Sequence, residues 1–488
     1  MIIREIMQGI EGITIRGDEM IDIASIKYDS RRVAPGDLFA AIRGENFDGT
    51  RFIGESAQKG AVAFLVPEGS DRKAEGTYVF AGNVRRALAL ASRNFYQDPS
   101  SKLSVVGVTG TNGKTTTSYL VHVILETAGV SIGLIGTVQY LVGGQVLSAA
   151  RTTPESPDLF ALMDSMVRAG CSACIMEVSS HALTLNRVDG VRMEVGIFTN
   201  LTRDHLDFHR DMEDYFLAKS ALFEGERVRH SVVNRDDPYG ARLIEQMGGM
   251  AFTYGMTSGD IQPEGPVDSG DWGNRCLLAT PWGRIGVSTP LPGKFNLYNV
   301  MAAVAACGLM GLDTEAIAEG LSRVHRVPGR FERVDRGQPW LAVVDYAHTP
   351  DALENLLVNA RAMTRGRVIV VFGCGGDRDS SKRPLMGKAA GSIADVVFVT
   401  SDNPRSEDPE AIMDDIMEGL EEYMDKVSRI TDRREAIRRA VREARPGDML
   451  LVAGKGHENY QILGDRILPF SDVDELGKAI GELVEGEL

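Results

Sequence analysis

Apolar residues along this chain follow two rhythms: short unbroken runs edged by turn residues, and longer stretches where they recur every third or fourth position. Residues 103–108 form a run with β-branched valines and predict a buried strand; residues 118–128 carry helical spacing. Strand-like runs follow at 174–178, 195–199 and 232–234, separated by helical stretches at 157–169 and 212–223. Such alternation predicts a parallel sheet covered by helices. A second alternating region begins near residue 331, with strands at 341–345, 368–372, 396–400 and 449–453 and helices at 350–363, 382–393, 409–423 and 433–444, which predicts a doubly wound, Rossmann-like sheet. Residues 1–101 read as a smaller α/β domain, and the Pro/Gly-rich stretch 255–293 as an irregular β-rich insertion. The fold class is therefore α/β, in three domains at 1–101, 102–330 and 331–488.

The strand at 103–108 runs directly into Thr109-Gly110-Thr111-Asn112-Gly113-Lys114-Thr115-Thr116. Glycines at 110 and 113 let backbone N–H groups close on phosphate oxygens at a helix N-terminus, Lys114 supplies a point charge, and the Thr115 hydroxyl can ligate magnesium. The strict phosphate-loop pattern requires glycine at position 108, where this chain has Val108, so the stretch is a variant. Ligands in open α/β sheets bind beyond the strand ends, where this chain carries polar clusters: Arg151-Thr152-Thr153-Pro154, Glu177-Val178-Ser179-Ser180-His181 and Asn200 through to Asp207. Glu177 and His205 can complete a magnesium site begun by Thr115, although histidine is a less usual ligand for that ion. Lys219 falls in a helix read as amphipathic, where a lysine belongs by default on the solvated face.

In the last region every predicted strand ends in such a cluster: Asp345-Tyr346-Ala347-His348, Gly373 to Arg378, Asp402-Asn403-Pro404-Arg405 and Gly454-Lys455-Gly456-His457-Glu458. They are expected to meet along one sheet edge. Pro404 restricts Asn403 to extended conformations, so a rigid turn should project Arg405 towards a ligand. A guanidinium fork matches a carboxylate, whereas Asp402 and Glu458 suit an ammonium. The plain alternative is an Arg405 paired with Glu407 or Asp408 at the surface.

Charge and composition narrow the class. A formal net charge of −15 over 488 residues disfavours a general nucleic-acid binder, while local cations can still hold a small anion. No apolar run approaches the roughly 18 residues that span a bilayer, and Glu5 and Glu11 interrupt the place of a signal-peptide core, so a cytoplasmic protein without a membrane partner is expected. Cys171 and Cys174 form a lone C-x-x-C without a second pair at zinc spacing, and read as buried thiols.

The ordered series of motifs, DSR and DLF near the start, TGTNGKTTT, TTPES, MEVSSHAL, NLTRDHLDFH, FNLYN, PGRFE, DYAHTPDAL, FGCGGDRDSSKRPLMG, DNPR and GKGHE, covers nearly the whole chain and resembles the Mur ligases, ATP-dependent amide-forming enzymes of peptidoglycan synthesis. Within that family it is most similar to the branch adding the third residue to UDP-N-acetylmuramoyl-L-alanyl-D-glutamate, and DNPR is the pattern of members that add meso-diaminopimelate. The resemblance implies ATP contacts at Gly110, Thr111, Asn112, Gly113, Lys114, Thr115, Thr116, Asn299, Arg330, Asp345 and His348. It implies nucleotide-sugar contacts at Tyr28, Ser30, Thr152, Thr153, Ser179 and Arg187. Incoming amino-acid contacts are implied at Arg378, Asp402, Asn403, Pro404, Arg405, Gly454 and Glu458. One magnesium would be held by Thr115 and Glu177, and His205 would join a second metal position with Lys219, the lysine carbamylated to N6-carboxylysine. Glu45, Asn46, Phe47 and Leu185 differ from substrate-contact residues of some relatives. The first domain would hold the UDP-substrate, the central one ATP and the last the amino acid, in a chain favoured to be monomeric. The competing readings are an L-lysine-adding relative, a folylpolyglutamate synthase-like ligase, and a nucleotide-switched binding protein.

Overall fold

In a computed structural model, residues 1–44, 48–270 and 273–486 are described, so Glu45, Asn46 and Phe47 lie outside the described residues. The chain packs into two compact units. The first comprises Met1–Thr109, Gly129–Ile197 and Leu217–Ser231, and the second Gly110–Ala128, Phe198–Phe216 and Val232–Leu488.

The first unit begins with a five-stranded sheet in the order Ile13–Arg16, Thr77–Ala81, Ala63–Pro67, Leu38–Ala40 and Ile26–Lys27. Only its Ile13–Arg16 edge strand is antiparallel. Helix Val84–Phe95, capped by the Asn83 side chain, lays Val84, Ala87, Leu88 and Ala91 on this sheet. Further along, strand Ser104–Thr109 pairs in parallel with Ala173–Glu177, which pairs in parallel with Ile132–Ile135. Helix Ser156–Arg168 covers them with Leu159, Phe160, Met163 and Met166.

In the second unit, helix Lys114–Thr127 packs against Lys294–Leu309 and Thr314–Ser322. Gly320 permits that approach, since a Cβ there would stand 2.6 Å from the Ile124 Cα. The helix starts at Lys114, four residues before the sequence spacing places it, because Gly113 (φ 86°) turns the chain and the buried Thr115, Thr116 and Thr117 gain more from packing than β-branching costs. The stretch read as an irregular β-rich insertion is a three-stranded antiparallel sheet of Gln262–Gly270, Gly273–Thr280 and Gly283–Thr289, with a register shift between Glu264 and Asp268.

The remainder of this unit is a six-stranded sheet in the order Glu332–Arg333, Leu341–Asp345, Met449–Ala453, Val368–Phe372, Val396–Val399 and Val427–Arg429, parallel but for its first strand. Successive strand residues serve opposite faces: Val368, Val370 and Phe372 join helix residues such as Leu353, Met386 and Ile412, while Ile369 and Val371 join Ile437, Leu476 and Ile480. That is the doubly wound arrangement the strand pattern predicts. Sequence reading runs the helix at 409–423 too far, since it is Pro409–Glu418 followed by a 3-10 turn. The structure adds a hairpin of Tyr460–Leu463 and Arg466–Pro469 and a closing helix Asp472–Val484, which the strand pattern does not predict. Among the described residues no helix is long and apolar enough to cross a membrane.

The closing helix is pinned by a fully buried ion pair. Arg433 donates to both carboxylate oxygens of Asp472 at 2.7 Å and to the Ala453 carbonyl at 2.9 Å. Breaking one side strands the other charge, so Arg433→Met is expected to cost about 3–5 kcal/mol, whereas Arg433→Met with Asp472→Leu recovers most of it. Urea unfolding midpoints check this; equal losses in the two proteins would contradict it.

Candidate active site

The phosphate-loop stretch folds as a closed cradle. Gly110 (φ 145°) and Gly113 (φ 86°) take backbone conformations that favour glycine, and a Cβ at Gly113 would come within 2.4 Å of the Asn299 Oδ1. Lys114 Nζ donates to the carbonyls of Gly110 (2.9 Å) and Thr111 (2.8 Å), so its charge sits over the loop. Asn112 is fixed from three directions: its N–H donates to Asn200 Oδ1, its carbonyl accepts from Thr199 Oγ1, and its side chain donates to Asp351 Oδ2 at 2.9 Å. Thr117 Oγ1 donates to Asn299 Oδ1, and Asn299 in turn donates to Asn296 Oδ1. Sequence reasoning passed over Asn296; the signal was a second asparagine three positions earlier on an otherwise apolar helix.

Arg330 reaches the same loop, its Nη2 lying 3.2 Å from Thr115 Oγ1 while its guanidinium stacks over the Tyr346 ring at 4.6 Å. Asp345 ends strand Leu341–Asp345 and accepts the N–H groups of Phe331 (2.7 Å) and Ala347 (2.8 Å), which fixes the turn carrying Arg330. Its pKa is raised by desolvation, with Arg330 acting in the opposite sense. Desolvation and the Lys382 charge hold His348 down to a pKa of about 4, so its ring is neutral at neutral pH. Burial opposes ionisation of Asp204, but His205, His348 and Lys382 outweigh it and bring its carboxyl to about 2. His205 stands next in the chain at φ 55°, a conformation a non-glycine residue holds only where its surroundings impose it.

The strand-end clusters of the last sheet do meet along one edge. Lys455 Nζ lies 3.4 Å from Asp402, 3.1 Å from Asn403 and 3.1 Å from Glu458, and Asn403 donates to Glu458 at 2.8 Å. Burial and the nearby Asp402 raise the Glu458 pKa, against the pull of Lys455. Arg405 is held at φ 53° by backbone hydrogen bonds to Ile462 and Gly464, and its Nη1 donates to the Gly376 carbonyl at 2.6 Å. No carboxylate pairs with Arg405 among the described residues; Glu407 is taken by Arg383, so the surface-pair alternative is not what forms. Arg378, by contrast, is exposed, and its Nη1 donates to the Asp377 carbonyl. Pro404 is buried, and Gly454 is needed because a Cβ there would sit 2.7 Å from Asp402 Oδ2.

In the first unit, both Glu177 oxygens accept from Thr137, one from its N–H and one from its hydroxyl, each at 2.9 Å. Thr152 bonds the same Thr137 hydroxyl, and Thr153 donates to the Glu177 carbonyl and accepts from the Ser179 N–H. Ser179 caps helix Ser180–Thr184. Arg187 donates to the Thr153 carbonyl and pairs with the buried Glu155, which also pairs with Arg85 and Arg151. Tyr28 donates to Asp158 beside a cavity of about 350 Å³ that Arg32, Tyr140 and Arg151 also line. Ser30 is buried, its carbonyl accepting from Lys59. Lys219 corrects the sequence expectation: it is 1% exposed while Leu217 beside it is 48% exposed. The polar lysine, not the leucine, faces inwards, which periodicity alone assigns the other way.

The Mur ligase middle domain matches residues 108–307, the glutamate ligase domain of Mur ligases residues 329–456, and the catalytic domain of the Mur ligase family residues 22–96. The chain belongs to the Mur ligase family. Similar to it is the UDP-N-acetylmuramoyl-L-alanyl-D-glutamate--2,6-diaminopimelate ligase of Solibacter usitatus, 48% identical over 457 residues and 92% of each chain. A solved structure of a protein with the same name is 32% identical, covers 99% of both chains and superposes with a TM-score of 0.70. A folylpolyglutamate synthase from Mycobacterium tuberculosis shares the fold at 18% identity and a TM-score of 0.62, covering 75% of this chain and 91% of its own. Such a likeness carries the fold alone, and the folate reading has no further support.

Proposed function

We propose that the chain is an ATP-dependent amide ligase that joins meso-diaminopimelate to UDP-N-acetylmuramoyl-L-alanyl-D-glutamate through an acyl phosphate. The observation that carries the reading is the strand-end cluster of this Mur ligase: two carboxylates, Asp402 and Glu458, held by Lys455, and in the same turn as Asp402 an Arg405 guanidinium that bonds the Gly376 carbonyl and that no carboxylate pairs with among the described residues. An ammonium and a carboxylate on one carbon satisfy that set, as the second amino-acid centre of diaminopimelate does.

A carboxylate is a poor acylating agent. Transfer of the ATP γ-phosphoryl group to it gives an acyl phosphate and ADP, and the incoming amine then expels phosphate. The protein's task is positioning and charge neutralisation. Gly110 to Thr116, with Lys114 foremost, would hold the phosphates, and Asn299, Arg330, Asp345 and His348 the rest of ATP. Tyr28, Ser30, Thr152, Thr153, Ser179 and Arg187 would hold the nucleotide-sugar peptide. Residues 1–101, 102–330 and 331–488 would divide these tasks, in a cytoplasmic protein.

Thr115 and Glu177 are hard oxygen donors of the kind magnesium takes. They would hold one magnesium, and His205 with a carbamylated Lys219 would serve a second metal position; the bound metal would neutralise phosphate charge. A carbamate reverses the charge of Lys219 and turns it into an oxygen ligand. Lys219→Ala is expected to lower activity about tenfold or more, with partial recovery in added formate or acetate. Wild-type turnover in that variant would remove Lys219 from the site.

Mass spectrometry tests the function directly. The protein with UDP-N-acetylmuramoyl-dipeptide, ATP, magnesium and a panel of amino acids should yield the diaminopimelate product and release phosphate only when both substrates are present. Phosphate release without any amide product would favour the nucleotide-switched binding protein.

A further inference from the structure

We propose that Lys455 is a built-in counter-cation that fixes the charge of the amino-acid subsite and so helps select the distal centre of diaminopimelate. The inference rests on the assignment of Asp402 and Glu458 to that centre.

Lys455 is 0% exposed. An ammonium has three N–H donors, and the three acceptors of Asp402, Asn403 and Glu458 stand at 3.4, 3.1 and 3.1 Å from this one. The frame around it is tied down: Ile462 N–H donates to Asn403 Oδ1 at 3.0 Å and Gln461 to the Asp402 carbonyl at 2.7 Å. Lys455 takes one oxygen from each carboxylate. The others, Asp402 Oδ2 and Glu458 Oε1, accept no hydrogen bond among the described residues.

Two carboxylates this close in a buried pocket resist ionising together. Deprived of Lys455 the pair would take up a proton and lose an acceptor. With Lys455 the pair carries a single net negative charge, which one substrate ammonium balances, leaving the substrate carboxylate to a guanidinium. Lys455 is a positioning residue, since it acts on substrate through Asp402 and Glu458.

A double-mutant cycle tests this. Lys455→Met is expected to raise KM for meso-diaminopimelate about 30-fold or more, with KM for ATP unchanged. Glu458→Gln also weakens binding. Lys455→Met with Glu458→Gln removes one charge of each sign, so its loss should fall about tenfold short of the product of the single losses. Thermal midpoints of the same four proteins carry the cycle without substrate, and the double variant should be more stable than Lys455→Met. Independent losses in both readouts, or a double variant that fails to fold, would overturn the role of Lys455. An unmodified protein that makes no diaminopimelate amide would instead overturn the proposed function, while the thermal cycle still reads the charge balance.

Discussion

Lys114→Ala is expected to lower amide synthesis by about 10²-fold or more while the protein stays folded, because removing a preorganised charge from a transition state typically costs that much. Lys114 Nζ bonds the carbonyls of Gly110 and Thr111 at the start of helix Lys114–Thr127. In a phosphoryl transfer it would lie where negative charge gathers, against the N–H groups of the same turn. Loss of its ammonium–carbonyl hydrogen bonds costs stability about 1.5–3 kcal/mol, which leaves the fold standing. Circular dichroism and phosphate release, measured on the same sample, separate the two effects. Near-normal turnover in a folded variant would end the phosphate-loop assignment.

Preference for meso-diaminopimelate over L-lysine is expected to reach about 10⁴-fold in kcat/KM, since a site built around a polar group rejects the analogue lacking it. L-Lysine brings the distal ammonium without the carboxylate, so Arg405 would be buried by the substrate with nothing to bind. Arg405 cannot swing away cheaply: its backbone is bonded on both sides, to Ile462 and Gly464, and its Nη1 to the Gly376 carbonyl. Arg405→Ala should therefore abolish most of the preference, mainly through a higher KM for diaminopimelate. Alanine at φ 53° adds strain, and Arg405→Gly removes the guanidinium without it. Both variants should lose discrimination alike. Comparable kcat/KM for the two amino acids in the unmodified protein would refute the argument.

The last sheet was legible from its sequence because its strands, such as Val368–Phe372, are continuous apolar runs buried on both faces, bounded by polar turns. The phosphate loop was equally legible, since glycines, a lysine and a threonine at fixed spacing after such a strand are local chemistry. Local spacing also put Asp402 and Glu458 at strand ends, and parallel pairing brings those ends to one edge. Periodicity failed where burial is decided by distant partners. Helix Lys294–Leu309 is apolar almost all round; its two asparagines stand out as a polar pair, but the helix's own pattern does not say that Asn299 meets the loop at Gly113. Lys219 was read outward because a lysine is costly to bury, and only the packing of its helix reverses that. Lys455 and Arg433 belong to the same class: each is a buried cation with a carboxylate partner dozens of residues away, Asp402 and Asp472 respectively. Sequence determines which groups stand at the end of each element; the close approach of those ends, and hence which charges are buried together, is set by long-range packing.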